Sequence, residues 1–166
     1  MVVETQKIKD LRTKTGAGVM DCKKALEDAD GDILKAAELL RQKGMSSAAK
    51  KAGRVTGQGV VESYIHSGGK IGALVEVNCE TDFVARTSEF TSLAHDIAMQ
   101  VAAMSPRFIN KEELIDNNQD DEQSCLLEQP FIKDPSKRIQ DVINETVGKL
   151  GENIEVKRFT RFSLGE

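Results

Sequence analysis

The sequence predicts an α+β fold: an N-terminal module of three helices, then a small antiparallel β-sheet packed with helices. Three observations carry that prediction. Apolar residues recur at helical spacing through the first 44 positions, the period drops to two after Gly59, and it returns to helical at Thr87. Two domains and a linker follow: residues 1–44 as a helical domain, 45–58 as the linker and 59–166 as an α+β core.

In the first helix Ile8 and Leu11 share a face, and Gly16-Ala17-Gly18 breaks it. Cys22, Ala25, Leu26 and Ala29 give the second its i, i+3, i+4, i+7 stripe. Ile33, Ala36, Ala37 and Leu40 repeat it in the third, with Asp30 as the expected N-cap and Gly44 as the expected end. The stretch after Gly44 is rich in Ala, Ser, Lys and Gly and too poor in large apolar residues to bury a face. It reads as a linker, helical in its first half.

Val60 to His66 is β-prone, Ser67-Gly68-Gly69 is a turn, and Lys70 to Cys79 returns as a second strand. Ile71, Ala73, Val75, Val77 and Cys79 form one apolar face of that strand, so a β-hairpin is expected. From Thr87 a helix carries Phe90, Leu93, Ala94, Ile97, Val101 and Met104 on one stripe and stops at Ser105-Pro106. His95 falls off the stripe and is expected in solvent. The acidic run Asp116 to Ser124 reads as a loop. Asp134-Pro135 is expected to open a last helix, with Ile139, Val142, Ile143, Val147 and Leu150 on one face and Gly151 at its end. In the C-terminal β-prone run Ile154 to Phe162, the alternation slips between Val156 and Phe159, which predicts a bulge near Lys157-Arg158.

Composition narrows the function classes. With 39% hydrophobic and 30% charged residues the chain is too apolar for disorder and too polar to span a membrane. The N-terminal run shows no apolar signal core, so a cytoplasmic protein is expected. The net charge of −4 argues against a protein that binds chiefly nucleic-acid backbone. Lys50, Lys51 and Arg54 lack neighbouring aromatics for base stacking and read as a solvated linker face. Three dispersed cysteines, Cys22, Cys79 and Cys125, and two histidines offer no metal-ligand spacing, so no metal or other cofactor is expected. Gly69-Lys70 does not complete a phosphate-binding loop: Tyr64 stands where its first glycine belongs and Ile71 where its Ser/Thr belongs. There is no Gly-x-Ser-x-Gly elbow, and an enzyme is not expected. One segment resists a bland reading. Phe83, between the apolar strand and the long helix, is either tucked under the junction or projected as an anchor, and apolar burial favours the former.

The run Leu11 to Leu26, LRTKTGAGVMDCKKAL, resembles the N-terminal signature of elongation factor Ts. Val77 to Arg86, VNCETDFVAR, resembles the family's second signature, and Gly151-Glu152-Asn153-Ile154 with Arg158-Phe159 resembles its C-terminal one. The matches stand in order and span nearly the whole chain. The resemblance implies a guanine-nucleotide exchange factor for the GTPase elongation factor Tu, engaging its GDP-bound and nucleotide-free forms, and binding no nucleotide or nucleic acid itself. It implies that the helical module has a ubiquitin-associated-type fold and that Arg12, Val19 and Met20 touch the GTPase. It also implies that Thr81, Asp82, Phe83 and Val84 form the main contact, with Asp82 and Phe83 pressing beside the magnesium site. That places Phe83 outside, against the preference drawn from burial alone. Longer members carry a second copy of the core and a coiled-coil projection. This chain holds one copy, and the resemblance implies a homodimer using the C-terminal strand. A docking adaptor without exchange activity and an RNA binder using Lys50, Lys51 and Arg54 are the competing readings.

Overall fold

A computed structural model describes residues 4–113 and 123–166. Helices α1 (Thr5–Thr15), α2 (Val19–Asp28) and α3 (Ile33–Lys51) open the chain. Their shared core is small: Leu11, Cys22, Ala25, Leu26, Ala29 and Ala36. Gly16, at φ 64°, ends α1 as expected and returns its N–H to the Arg12 carbonyl. The cap of α3 is Asp32 rather than Asp30. Its carboxylate accepts the N–H groups of Leu34 and Lys35 at 2.9 and 3.1 Å, whereas Asp30 stands two residues earlier in the turn, in the left-handed region at φ 51°.

Gly44 does not end α3. The helix runs through it to Lys51 because this glycine lies where α3 crosses a later helix, α6 (Ile139–Leu150). A Cβ added to Gly148 would stand 3.3 Å from the Gly44 Cα. The missing side chains serve close backbone approach, and the packing of Ala48 against the larger core holds the helix together beyond Gly44. The first half of the expected linker is therefore the end of α3.

Strands β1 (Gln58–Ile65) and β2 (Ile71–Cys79) form the expected antiparallel hairpin around Ser67–Gly69. β5 (Ile154–Ser163) pairs antiparallel with the other edge of β2, giving the order β1-β2-β5. Glu76 pairs Arg158 while Val77 pairs Val156, so Lys157 is the extra residue of a bulge, where the slipped alternation put it. Ala73, Val75, Val77 and Cys79 bury their face under α5 (Ser88–Met104), which supplies Phe90, Leu93, Ala94, Ile97 and Val101. Thr87 caps α5 by accepting the Phe90 N–H. Met104, expected on this stripe, is 46% exposed: it is the last residue of the helix, where the stripe runs out past the core.

Most of the expected acidic loop, Asp116 to Ser124, lies outside the described residues. Beyond it comes a ribbon of β3 (Pro130–Phe131) and β4 (Asp134–Arg138) that the sequence had not suggested. It corrects the last helix, which begins at Ile139 and not at Asp134-Pro135. The Asp134 carboxylate is taken by the Ser136 N–H and hydroxyl, a local turn that competes with helix formation. The Arg138 N–H goes to the Asp141 carboxylate at 3.1 Å, placing the helix start one residue later. Pro135 fits a short edge strand, where a missing donor costs little. Gly151, at φ 78°, ends α6 as expected. Among the described residues no helix is long and apolar enough to cross a membrane.

Gln100 is a polar residue in the helix face that meets the ribbon, and it is fully buried. Its amide donates to the Gln129 side chain and the Pro130 carbonyl, and its oxygen accepts the Ile132 N–H at 2.9 Å. Gln100→Leu would leave the buried Gln129 side chain, and the part-buried Pro130 carbonyl and Ile132 N–H bonds, without this partner. It is expected to lower stability by about 2–3 kcal/mol, read as a reduced urea midpoint with an unchanged slope.

Candidate partner-binding site

Helix α4 (Asp82–Ala85) is a single turn between the end of β2 and the start of α5. Thr81 caps it, its hydroxyl accepting the Val84 N–H at 3.4 Å. Consecutive side chains on a helix diverge by about 100°. Ala85 is buried and Val84 packs against the core, so the turn sends Phe83 outward, where it is 80% exposed. Burial alone favoured the opposite placement; the two smaller apolar neighbours already fill the junction. Asp82 faces solvent and pairs with Arg86 at 2.8 Å. Thr81, Asp82, Phe83 and Val84 thus occupy one turn with Phe83 at its outer point.

A turn this short has little stability of its own, and its flanks supply it. The Glu152 carboxylate accepts the Glu80 N–H at 3.1 Å, the Thr81 N–H at 3.0 Å and the Thr81 hydroxyl at 2.6 Å. In return the Glu80 carboxylate accepts the Asn153 N–H at 2.7 Å. Arg54 pairs with Glu80 at 3.4 Å, and its carbonyl accepts the Asn153 side-chain amide. Arg54, read from sequence as a solvated linker charge, belongs to this clasp. Sequence reasoning quoted Glu152 and Asn153 as part of a signature without seeing what they bind. Their adjacency to Gly151, the left-handed end of α6, was the available signal.

Arg12, Val19 and Met20 lie over the other, smaller core. Arg12 is in the last turn of α1 and Val19 and Met20 open α2, on either side of the Gly16–Gly18 turn. All three are exposed, Met20 at 72%. They form a second group, carried on different elements from Phe83. Lys50 is exposed, and Lys51 donates to the Ser47 hydroxyl. The histidines stand in exposed surface pairs, His95 with Glu62 and His66 with Tyr64. Among the described residues no group of His, Cys, Asp and Glu is gathered to hold a metal ion.

Fold and surface together describe an α+β module whose most prominent feature is an apolar side chain held out on a capped turn, with a second apolar group on a three-helix bundle. Comparison with known proteins makes this specific. The profile of the family described as Elongation factor TS matches residues 45–124 and 118–166. A protein named Elongation factor Ts from Carboxydothermus hydrogenoformans is 48% identical over 196 aligned residues, covering 99% of this chain and 90% of the relative. Namesakes from Thermoanaerobacter pseudethanolicus, at 46%, and Anaeromyxobacter dehalogenans, at 50%, also align with 99% of this chain, covering 96% and 89% of their own lengths. The chain belongs to the elongation factor Ts family. The alignment is longer than the 166 residues present here, so these relatives carry residues with no counterpart in this chain.

Cys79 sits beside the clasp, fully buried, with its thiol donating to the Thr81 carbonyl at 3.2 Å. Burial pushes its pKa up, and the nearby Glu152 carboxylate adds to that; burial also raises Cys22. A raised pKa leaves less thiolate at any given pH. At pH 8, Cys22 and Cys79 of the native protein are expected to react with Ellman's reagent at least about tenfold more slowly than free cysteine. In guanidinium chloride all three cysteines are expected to titrate at once.

Proposed function

We propose that this chain is a guanine-nucleotide exchange factor for elongation factor Tu, acting in the cytoplasm during translation elongation. It catalyses no covalent step and needs no cofactor, and its work is to weaken the hold of the GTPase on GDP. The observation that carries this reading is Phe83, exposed on a capped turn within the Thr81–Val84 segment. Membership of the elongation factor Ts family supports it.

The physical logic is differential binding. GDP and magnesium hold each other through phosphate oxygens, so a group that displaces the ion's surroundings loosens the nucleotide. Asp82 and Phe83 enter beside that site and bind best to the displaced arrangement. The coupling is reciprocal: the factor by which this protein lowers GDP affinity is the factor by which GDP lowers its own. Both the GDP-bound and the nucleotide-free GTPase are therefore partners, and returning nucleotide releases the exchange factor. The two modules, 1–44 and 59–166, joined by 45–58, each supply a contact: Arg12, Val19 and Met20 from the first, Thr81 to Val84 from the second. Burying a Phe side chain contributes about 1.5–3 kcal/mol.

Stopped-flow release of fluorescent GDP from elongation factor Tu tests the proposal. Wild-type protein is expected to accelerate release, and Phe83→Ala to lose most of that acceleration, while Lys51→Ala retains it. Release that wild-type protein does not accelerate would leave only a docking adaptor.

A homodimer completes the proposal. The sheet face turned away from α5 carries Val61, Ile65, Leu74 and Phe162, all exposed, and Leu164 follows at the end of the chain. Ile65, Gly72 and Phe162 align across the three strands, so the apolar residues of the two outer strands share one surface. Such a face fits a second copy of the same chain. Analytical ultracentrifugation is expected to show a dimer for wild-type protein and a monomer for Phe162→Arg. A wild-type chain that stays monomeric at high concentration would remove the dimer from the proposal.

A further inference from the structure

We infer that Glu152 is a positioning residue for Phe83: by accepting three hydrogen bonds from Glu80 and Thr81, it sets the direction in which α4 presents the aromatic ring. This rests on the exchange reading for its consequence, though not for its geometry. The two backbone N–H groups belong to Glu80, directly after the last residue of β2, and to Thr81, the cap of α4, where neither strand nor helix offers them a partner. Glu152 supplies it, and the same carboxylate accepts the hydrogen bond that the Thr81 hydroxyl donates, leaving the Thr81 oxygen's lone pairs to accept the Val84 N–H. Charge-assisted bonds of this kind are the strong ones.

The arrangement is also closed from the opposite side. Glu80 accepts the Asn153 N–H, and Asn153, itself nearly buried, holds the Arg54 carbonyl. The turn bearing Phe83 is therefore fixed at its base by the segment that enters β5, some 70 residues away in sequence. Thr81 joins this clasp through its hydroxyl and its backbone N–H. Glu152 need not touch the partner at all.

The test uses the full chain in two measurements. In the first, the six phenylalanines are replaced by fluorophenylalanine, and the Phe83 resonance is assigned by its loss in Phe83→Leu. Glu152→Ala is expected to shift or broaden the Phe83 line and leave the line of buried Phe90 in place. An unmoved Phe83 line overturns the inference. Glu152→Gln keeps an oxygen for the two backbone donors and an amide that Thr81 can accept, so it is expected to restore the wild-type line.

In the second measurement, release of fluorescent GDP from elongation factor Tu is followed in a double-mutant cycle. Glu152→Ala is expected to cost about tenfold in rate when Phe83 is present and less than about twofold in the Phe83→Ala background, where there is no ring left to aim. Glu152→Gln is expected to stay within about threefold of wild type. Equal losses in both backgrounds would assign Glu152 a general structural role and overturn the inference. If wild-type protein fails to accelerate release, the exchange reading falls, and the fluorine spectrum still decides whether Glu152 places Phe83.

Discussion

The burial of one face of β2 under α5 is the interaction on which the remaining structure depends. Val75, Val77, Phe90 and Val101 are wholly excluded from water at this contact, and Ile97 nearly so. Each contributes about 1.5–3 kcal/mol relative to exposure. The central strand is also the one that both other strands pair with, so losing its packing would undo the whole sheet. Its register sets where the chain leaves the sheet: Cys79 is the last paired residue on both sides, and Thr81 caps the next helix two residues later. The position of Phe83 is thus inherited from the core with almost no intervening chain.

Short connections alone do not hold a one-turn helix. The clasp between Glu80 and Thr81 on one side and Glu152 and Asn153 on the other does so, and it simultaneously closes the fold. β5 must arrive beside β2 from the far end of α6, and Gly151 in the left-handed region makes that reversal without strain. The residues placed directly after it then meet the end of β2. A requirement of topology, joining the last strand to the central one, and a requirement of presentation, fixing the turn that bears Phe83, are met by the same four residues.

What could be read from the sequence follows from where the information lies. The stripes of α2, α5 and α6, the alternation of β2 and the bulge at Lys157 are local periodicities, and each was visible. Gly44 misled because a glycine that ends a helix and one that lets two helices touch look the same until the second helix is in place. Asp134-Pro135 misled similarly: the pair suits a helix start, but Ser136 captures the carboxylate first. Gln100 and the clasp left no local trace, since their partners lie about 30 and 70 residues away. Phe83 stood between these cases. Its neighbours left both placements open, the resemblance to elongation factor Ts turned it outward, and the packing of Val84 and Ala85 gives the physical reason.

An exposed aromatic on a loose loop would be a poor anchor, because docking would have to order the backbone as well as the side chain. On the capped and clasped turn that ordering has already been done during folding. For the proposed exchange reaction this matters beyond affinity. A ring on a mobile segment adapts to the GTPase whether or not the nucleotide site is disturbed, whereas a ring fixed in direction distinguishes the two arrangements. The same consideration extends to the second group of exposed residues. Arg12, Val19 and Met20 ride on a bundle whose α3 lies against α6 through Gly44 and Gly148, and α6 ends at the residues that clasp the Phe83 turn. One helix therefore touches the supports of both groups. In the proposed function, two contacts held at a set separation would select a partner surface with the matching spacing, which neither group, presented alone, could do.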